Sequence, residues 1–166
     1  LTDEEKNEDW LGKHKNRKVI VLGVLGSTPQ KSMPYEYVAA IIDFITAHYD
    51  VNILFNYAPH QKEEAQKIYE MCHDKSNIIL DIYAKSIRDF VKLMNQCDVL
   101  VANEGGSVHI AKALKKPSFT IFSPYVNKEH WASFEDGKLH DSIHLLEIKP
   151  DLYNSFNSKE RKKIEK

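Results

Sequence analysis

The sequence predicts an α/β fold, a doubly wound parallel sheet with helices on both faces. Three observations predict it. Short apolar runs of strand length alternate with segments whose apolar residues recur at helical spacing. The runs are continuously apolar rather than alternating, as in strands buried on both faces. Each run is followed by its own amphipathic segment, and repeated strand–helix units build parallel sheets.

The elements follow in order. "KVIVLG" (18–23) opens the series as a strand. Val38, Ile41, Ile42, Ile45 and Tyr49 then mark one face of a helix. "VNILF" (51–55) is the second strand, and Ala65, Ile68, Tyr69 and Cys72 form the stripe of the next helix. "NIIL" (77–80) follows as a strand. Ile87, Phe90, Val91 and Met94 make a third helical stripe, opened by Ser86-Ile-Arg-Asp89 in the capping-box pattern. "DVLVA" (98–102) leads through "NEGGSVH" into a fourth helix. "SFTIF" (118–122) closes the main series, and "IHLLEI" (143–148) is expected to add an edge strand. Residues 1–17 read as a charged lead-in or linker, 18–150 as the domain, and 151–166 as a charged helix or tail.

With 166 residues the chain is long enough for one domain with a real core. Basic and acidic residues nearly cancel, 23 against 24, so nothing in the charge draws the chain to nucleic acid. Cys72 and Cys97 both fall in helical apolar stretches and are expected to be reduced core thiols, which fits the cytoplasm. No apolar run reaches membrane-span length, and the acidic opening "LTDEEKNEDW" is not that of a signal peptide. The basic run near the end reads as a solvated face, with a weak pull toward an anionic membrane surface as the alternative. His130, His140 and His144 show no helical His-x-x-x-His pair and no cysteine partner, so no metal site is expected. Walker, Gly-x-Ser-x-Gly and Gly-x-Gly-x-x-Gly patterns are missing, which removes the main supports for NTPase, hydrolase and dehydrogenase chemistry.

Right-handed crossovers place every strand-to-helix loop of such a sheet on its carboxyl edge, where ligands bind. Those loops are "GSTPQKSMP", "NYAPHQ", "DIYAKS" and "NEGGSVH". In the last, glycines allow close approach of a ligand, and the N–H groups of the following helix favour an anion. Ser107 can cap that helix or donate to a phosphate, and His109 can donate from the same side. Glu104 suits sugar hydroxyls better than bare phosphate, so the combination suggests a nucleotide sugar. A glycine turn followed by a half-buried histidine, with no ligand, fits the residues equally well. In the first loop Ser27, Thr28 and Lys31 offer two hydroxyls and a point charge for a diphosphate, or simply a solvated lysine beside a Ser32 cap. Gln61 is the residue of its loop best placed to hold ribose hydroxyls, while Glu63 and Glu64 are ordinary partners of a helix dipole.

"CDVLVANEGGSVHIAKALKKPSFTIFSP" resembles the signature of glycosyltransferase family 9, the heptosyltransferases. "GSTPQKSMP" is similar to that family's Gly-x-Ser/Thr…Lys-x-Trp-Pro loop, and "APHQKEEAQKI" to its Glu-bearing helix start. The resemblance runs in order from about Val19 to about Trp131. It implies a Rossmann-like domain, the C-terminal half of a GT-B glycosyltransferase, holding a nucleotide-sugar donor such as ADP-heptose. Ser27, Thr28 and Lys31 would then contact the donor diphosphate or ribose. Gly105, Gly106, Ser107, Val108 and His109 would form the diphosphate cradle. Gln61 would stand where the family has a ribose-binding Glu, and Glu104 where it has an Asp that holds the sugar. The catalytic carboxylate and the lipopolysaccharide-core acceptor site would belong to an N-terminal half not found in these residues, so the chain alone is expected to bind without catalysing. No cofactor is implied, and the setting would be the cytoplasm, at the inner face of the inner membrane.

The departures carry meaning. Glu104 reaches one methylene further than Asp, and Gln61 in place of Glu loses a charge-assisted bond. Met33 stands for the Trp, and Ser123 for the Gly of Phe-Gly-Pro. A non-catalytic nucleotide-binding α/β module, or a purely structural partner domain, are the rival readings.

Overall fold

The computed structural model describes residues 1–164; Glu165 and Lys166, the end of the expected C-terminal charged helix, lie outside the described residues. The elements are α1 (Asp3–Asn7), β1 (Lys18–Gly23), α2 (Tyr35–His48), β2 (Val51–Asn56), α3 (Lys62–Met71), β3 (Ile78–Ile79), α4 (Ile87–Gln96), β4 (Val99–Asn103), α5 (Gly106–Ala113) and β5 (Ser118–Phe122). They continue through α6 (Lys128–Trp131), β6 (His140–His144), α7 (Leu145–Ile148), α8 (Leu152–Ser155) and α9 (Ser158–Ile164).

The six strands form one sheet in the order β3-β2-β1-β4-β5-β6, and every neighbouring pair is parallel. Period-2 alternation along each strand divides the core in two. Val19, Val21, Leu54 and Leu100 point to one face and meet Phe90, Leu93 and Met94 of α4 and Val108 and Ala111 of α5. Leu22, Ile53 and Phe55 point to the other and meet Val38 and Ile42 of α2 and Ala65 and Ile68 of α3. Each such aliphatic side chain removed from water is worth about 1.5–3 kcal/mol, which is what holds the helices to the sheet. The fold is therefore the doubly wound α/β arrangement that the apolar pattern predicts, in Rossmann-like strand order.

The chain runs outward from β1 through β2 to β3, then returns to lay β4 on the other side of β1. That reversal opens a crevice between the carboxyl ends of β1 and β4. The two strands approach closely there. A Cβ on Gly23 would lie 2.7 Å from that of Ala102, so glycine at this position is a packing requirement.

The first part of the lead-in, to Leu11, clings to α4. Glu5 pairs with Arg88, Glu8 with Lys92, the Gln96 amide bonds the Glu8 carbonyl, and Leu11 is buried among the residues of the α4 side. Cys72 and Cys97 are free, buried thiols, each donating to the carbonyl four residues back. Burial pushes their pKa values up to about 11 and about 12.

Four details differ from the sequence reading. Tyr49 lies just past the end of α2, in extended backbone and 58% exposed, and so does not join that helix's stripe. Only Ile78 and Ile79 of the third strand pair, because the chain turns away after them. Ile87 does not join the buried stripe of α4. It is the first residue after the Ser86 cap, 78% exposed at the sheet edge. The last strand is His140–His144 rather than 143–148. His144 Nδ1 accepts the Leu146 N–H, Glu147 bonds back to the His144 N–H, and this reciprocal cap turns residues 145–148 into α7.

Candidate functional site

The crevice between β1 and β4 holds a cleft of about 450 Å³. Its floor is Ala102, Asn103 and Glu104 at the end of β4. Its walls are the loop after β1 (Gly26, Ser27), the turn into α5 (Gly105, Gly106, Ser107), the loop after β2 (Tyr57 to Gln61) and the loop before α4 (Tyr83 to Ile87).

The turn into α5 is unusual in what it leaves undone. Gly105 is the N-cap, so no side chain caps the helix. Val108 gives its N–H to the Gly105 carbonyl, 3.1 Å away, but the N–H groups of Gly106 and Ser107 have no partner among the described residues. Gly105 is extended, at φ 161°, a conformation open to any residue. A Cβ added at Gly105 or Gly106 would meet nothing within 4 Å. The fold itself thus asks for glycine at neither position, and glycine costs about 0.5–1 kcal/mol in a helix relative to alanine. What the pair does provide is bare backbone, with orphan N–H groups and the positive end of the α5 dipole behind it.

Beside it, Asn103 and Glu104 are 6% and 5% exposed. The Asn103 amide donates to the Lys31 carbonyl at 2.7 Å, while its Oδ1 has no hydrogen-bond partner among the described residues. Glu104 Oε2 accepts the Ser123 N–H at 3.4 Å. Oε1 lies 3.3 Å from Lys31 Nζ, an ion-pair distance, but is not aligned for a hydrogen bond. Two buried oxygens therefore keep unused acceptor capacity on the floor of the cleft. Such groups are rare and costly, and a ligand with hydroxyls or amines would satisfy them.

The loop after β1 is held in a tight form. Ser32 Oγ accepts from the Gly26 N–H and donates to the Thr28 carbonyl. A Cβ on Gly26 would lie 2.4 Å from the Lys31 carbonyl oxygen, so this glycine is required. Ser123 Oγ, standing where the family signature has glycine, donates to the Gln30 carbonyl at 2.9 Å and braces the same loop.

The sequence-predicted residues divide. Ser27, Gln61, Glu104, Gly105, Gly106 and Ser107 line one cleft. Thr28 and Lys31 sit just outside it, on the far side of their loop, with Lys31 reaching back to Glu104. Val108 turns its side chain into the core. His109 is exposed rather than half-buried, its ring 6.3 Å from that of Trp131. Gln61 is buried with both ends of its amide engaged: Oε1 accepts the Ala58 N–H at 2.9 Å, and Nε2 donates to the Gly26 carbonyl at 2.8 Å. It ties the loop after β2 to the loop after β1.

The far end of the cleft was missed by residue-level reading. Tyr57 and Tyr83 pack there with ring centroids 5.4 Å apart, flanked by Ile87 and Ile110. Burial, with Tyr57 alongside, pushes the Tyr83 phenol above its ordinary value, so it stays a neutral donor at physiological pH. The cleft runs from an apolar, aromatic end to an anion-seeking end.

This is an α/β domain with a cleft at the topological switch point of a parallel sheet. A family model described as glycosyltransferase family 9 (heptosyltransferase) matches residues 1–145, and the chain belongs to that family. No curated protein matches the sequence significantly. Among solved structures, a family 9 glycosyl transferase from Veillonella parvula superposes with a TM-score of 0.74 at 17% identity, covering 99% of this chain and 50% of its own. E. coli ADP-heptose lps heptosyltransferase II gives 0.70 at 15% identity, covering 86% and 44%. E. coli heptosyltransferase WaaC, solved with ADP, gives 0.65 at 18%, covering 81% and 41%. At these identities the likeness is one of fold, and the chain spans half or less of the length of each. Among the described residues no helix is long and apolar enough to cross a membrane.

Proposed function

We propose that this domain is the donor-binding, C-terminal half of a heptosyltransferase-like enzyme of the GT-B type, and that its cleft takes an ADP-linked sugar. The observation that carries the reading is the start of α5, where two glycines the fold does not need expose unpaired N–H groups beside two buried, under-used oxygens. A diphosphate laid on Gly105–Ser107 meets those N–H groups and the helix dipole, with Ser27, Thr28 and Lys31 closing from the loop after β1 and His109 from α5. The diphosphate points one way to ribose and base, toward Gln61 and the Tyr57–Tyr83 end, and the other way to the sugar, toward Glu104.

In the transfer reaction, negative charge builds on the leaving diphosphate. Preorganised N–H groups and Lys31 stabilise that charge without rearranging, which is where this half contributes to the rate. No metal is needed in this scheme. The acceptor, a lipopolysaccharide-core sugar, and the base that activates it come from a partner half of the active site, and the reaction takes place at the cytoplasmic face of the inner membrane. A second reading, a nucleotide-binding module without transferase activity, draws support from Gln61, whose amide is committed to protein backbone at both ends.

Calorimetric titration with ADP, UDP and GDP tests the binding claim: saturable binding, tightest for ADP, is expected, and no saturable binding to any of them overturns it. Sugar transfer by the purified 166-residue chain would overturn the assignment of the catalytic carboxylate to another half.

A further inference from the structure

The anion-seeking end of the cleft borders a second feature. Trp131 is the last residue of α6, on the loop between β5 and β6, and 48% of its surface is exposed. Its indole neighbours two of the polar side chains assigned above to the diphosphate. Lys31 Nζ lies 5.9 Å from the ring centroid, within cation–π range, and the His109 ring lies 6.3 Å away. Lys31 in turn reaches Glu104 at 3.3 Å.

The loop that carries this indole is anchored on both flanks. On one side Lys128 binds Glu147 through both carboxylate oxygens, at 2.9 and 3.1 Å. On the other, Lys112 of α5, itself buried, donates to the Ser133 carbonyl at 2.7 Å and lies 3.3 Å from Glu135. Glu135 accepts from the Ser142 hydroxyl. The helix that presents the diphosphate cradle therefore also fixes the loop that presents Trp131. A large aromatic held exposed by buried charge is poor value for stability, since folding gains most by burying it.

We propose that Trp131 is a stacking platform for the glycosyl ring of the nucleotide sugar, and so a residue that sets which sugar the site accepts. A pyranose has an apolar C–H face that packs on an indole, while its hydroxyls turn toward Glu104, Lys31 and His109. The proposal rests on the donor-site reading above and adds to it a contact made by the sugar alone.

Titration with ADP and with ADP-heptose separates these contributions. Trp131→Ala is expected to leave ADP affinity within about twofold of wild type and to weaken ADP-heptose about fivefold or more, the scale of one aromatic contact. Trp131→Phe, which keeps a flat face, is expected to recover most of that loss. In a Trp10→Phe background Trp131 is the lone indole, and ADP-heptose is expected to change its fluorescence beyond the change that ADP produces. Equal weakening of both ligands, or of neither, overturns the platform. Failure of the wild type to bind ADP overturns the donor site instead, before Trp131 is in question.

Discussion

Two strand-to-helix turns stand on either side of β1 on the carboxyl edge of this sheet and are built to opposite ends. The turn from β2 into α3 satisfies itself: Gln61 swings inward, accepts the Ala58 N–H, and donates to Gly26 across the crevice. The turn from β4 into α5 leaves the Gly106 and Ser107 N–H groups without a partner among the described residues, and its backbone bare. Both occupy equivalent places in a strand–helix unit, so topology does not account for the difference. A turn that consumes its own polar groups holds protein together, and a turn that leaves them free at a switch point is available to a ligand.

That contrast can be broken from either side. The largest effect is expected at Gly26→Ala, where the new Cβ lies 2.4 Å from the Lys31 carbonyl and the loop must open. A loss of about 2–3 kcal/mol in urea unfolding is expected, with nucleotide binding abolished. Gln61→Ala comes next. It strands the Ala58 N–H and the Gly26 carbonyl, and about 1–2 kcal/mol of stability should go, with a smaller change in ADP affinity. A loss of affinity with unchanged stability would mean that Gln61 serves the ligand and not the fold. Gly106→Ala inverts the pattern. The thermal midpoint should hold or rise, because alanine favours the helix, while ADP affinity falls about tenfold as a methyl covers the bare N–H groups.

The smallest effect concerns the lead-in, away from both turns. Arg88 and the Thr2 N–H hold the Glu5 carboxyl down to about 2, against 4.5 for the free group. The folded value is the lower one, so this contribution is present above pH 4.5 and is lost as pH falls toward about 2. A slight drop in melting temperature over that window is expected, shrinking at high salt because the pair is exposed and reduced further in Glu5→Gln.

Most of the fold was legible because it depends on apolar periodicity. The strands of the main series, the third of them shortened, and α2 to α5 lie where the pattern puts them, and both thiols are buried as their helical spacing implies. The misses have local causes. A histidine cap outweighed strand propensity after His144, and Ile87 fell at a helix start, where a periodic stripe need not face the core. In the site, loop placement was legible but side-chain direction was not. Nothing local distinguishes a Gln61 turned outward to a ligand from one turned inward to backbone. The Lys31–Glu104 pair and the Tyr57–Tyr83 end join residues from separate loops, which only the sheet order brings together.

The most direct measurement is amide NMR of the chain during ADP titration. Diphosphate seated on the start of α5 should shift the N–H signals of Gly106 and Ser107 strongly, while the Ala58 N–H and the Gln61 side-chain amide, already bonded within the protein, stay nearly fixed. Saturable ADP binding that leaves Gly106 and Ser107 unmoved would contradict the account.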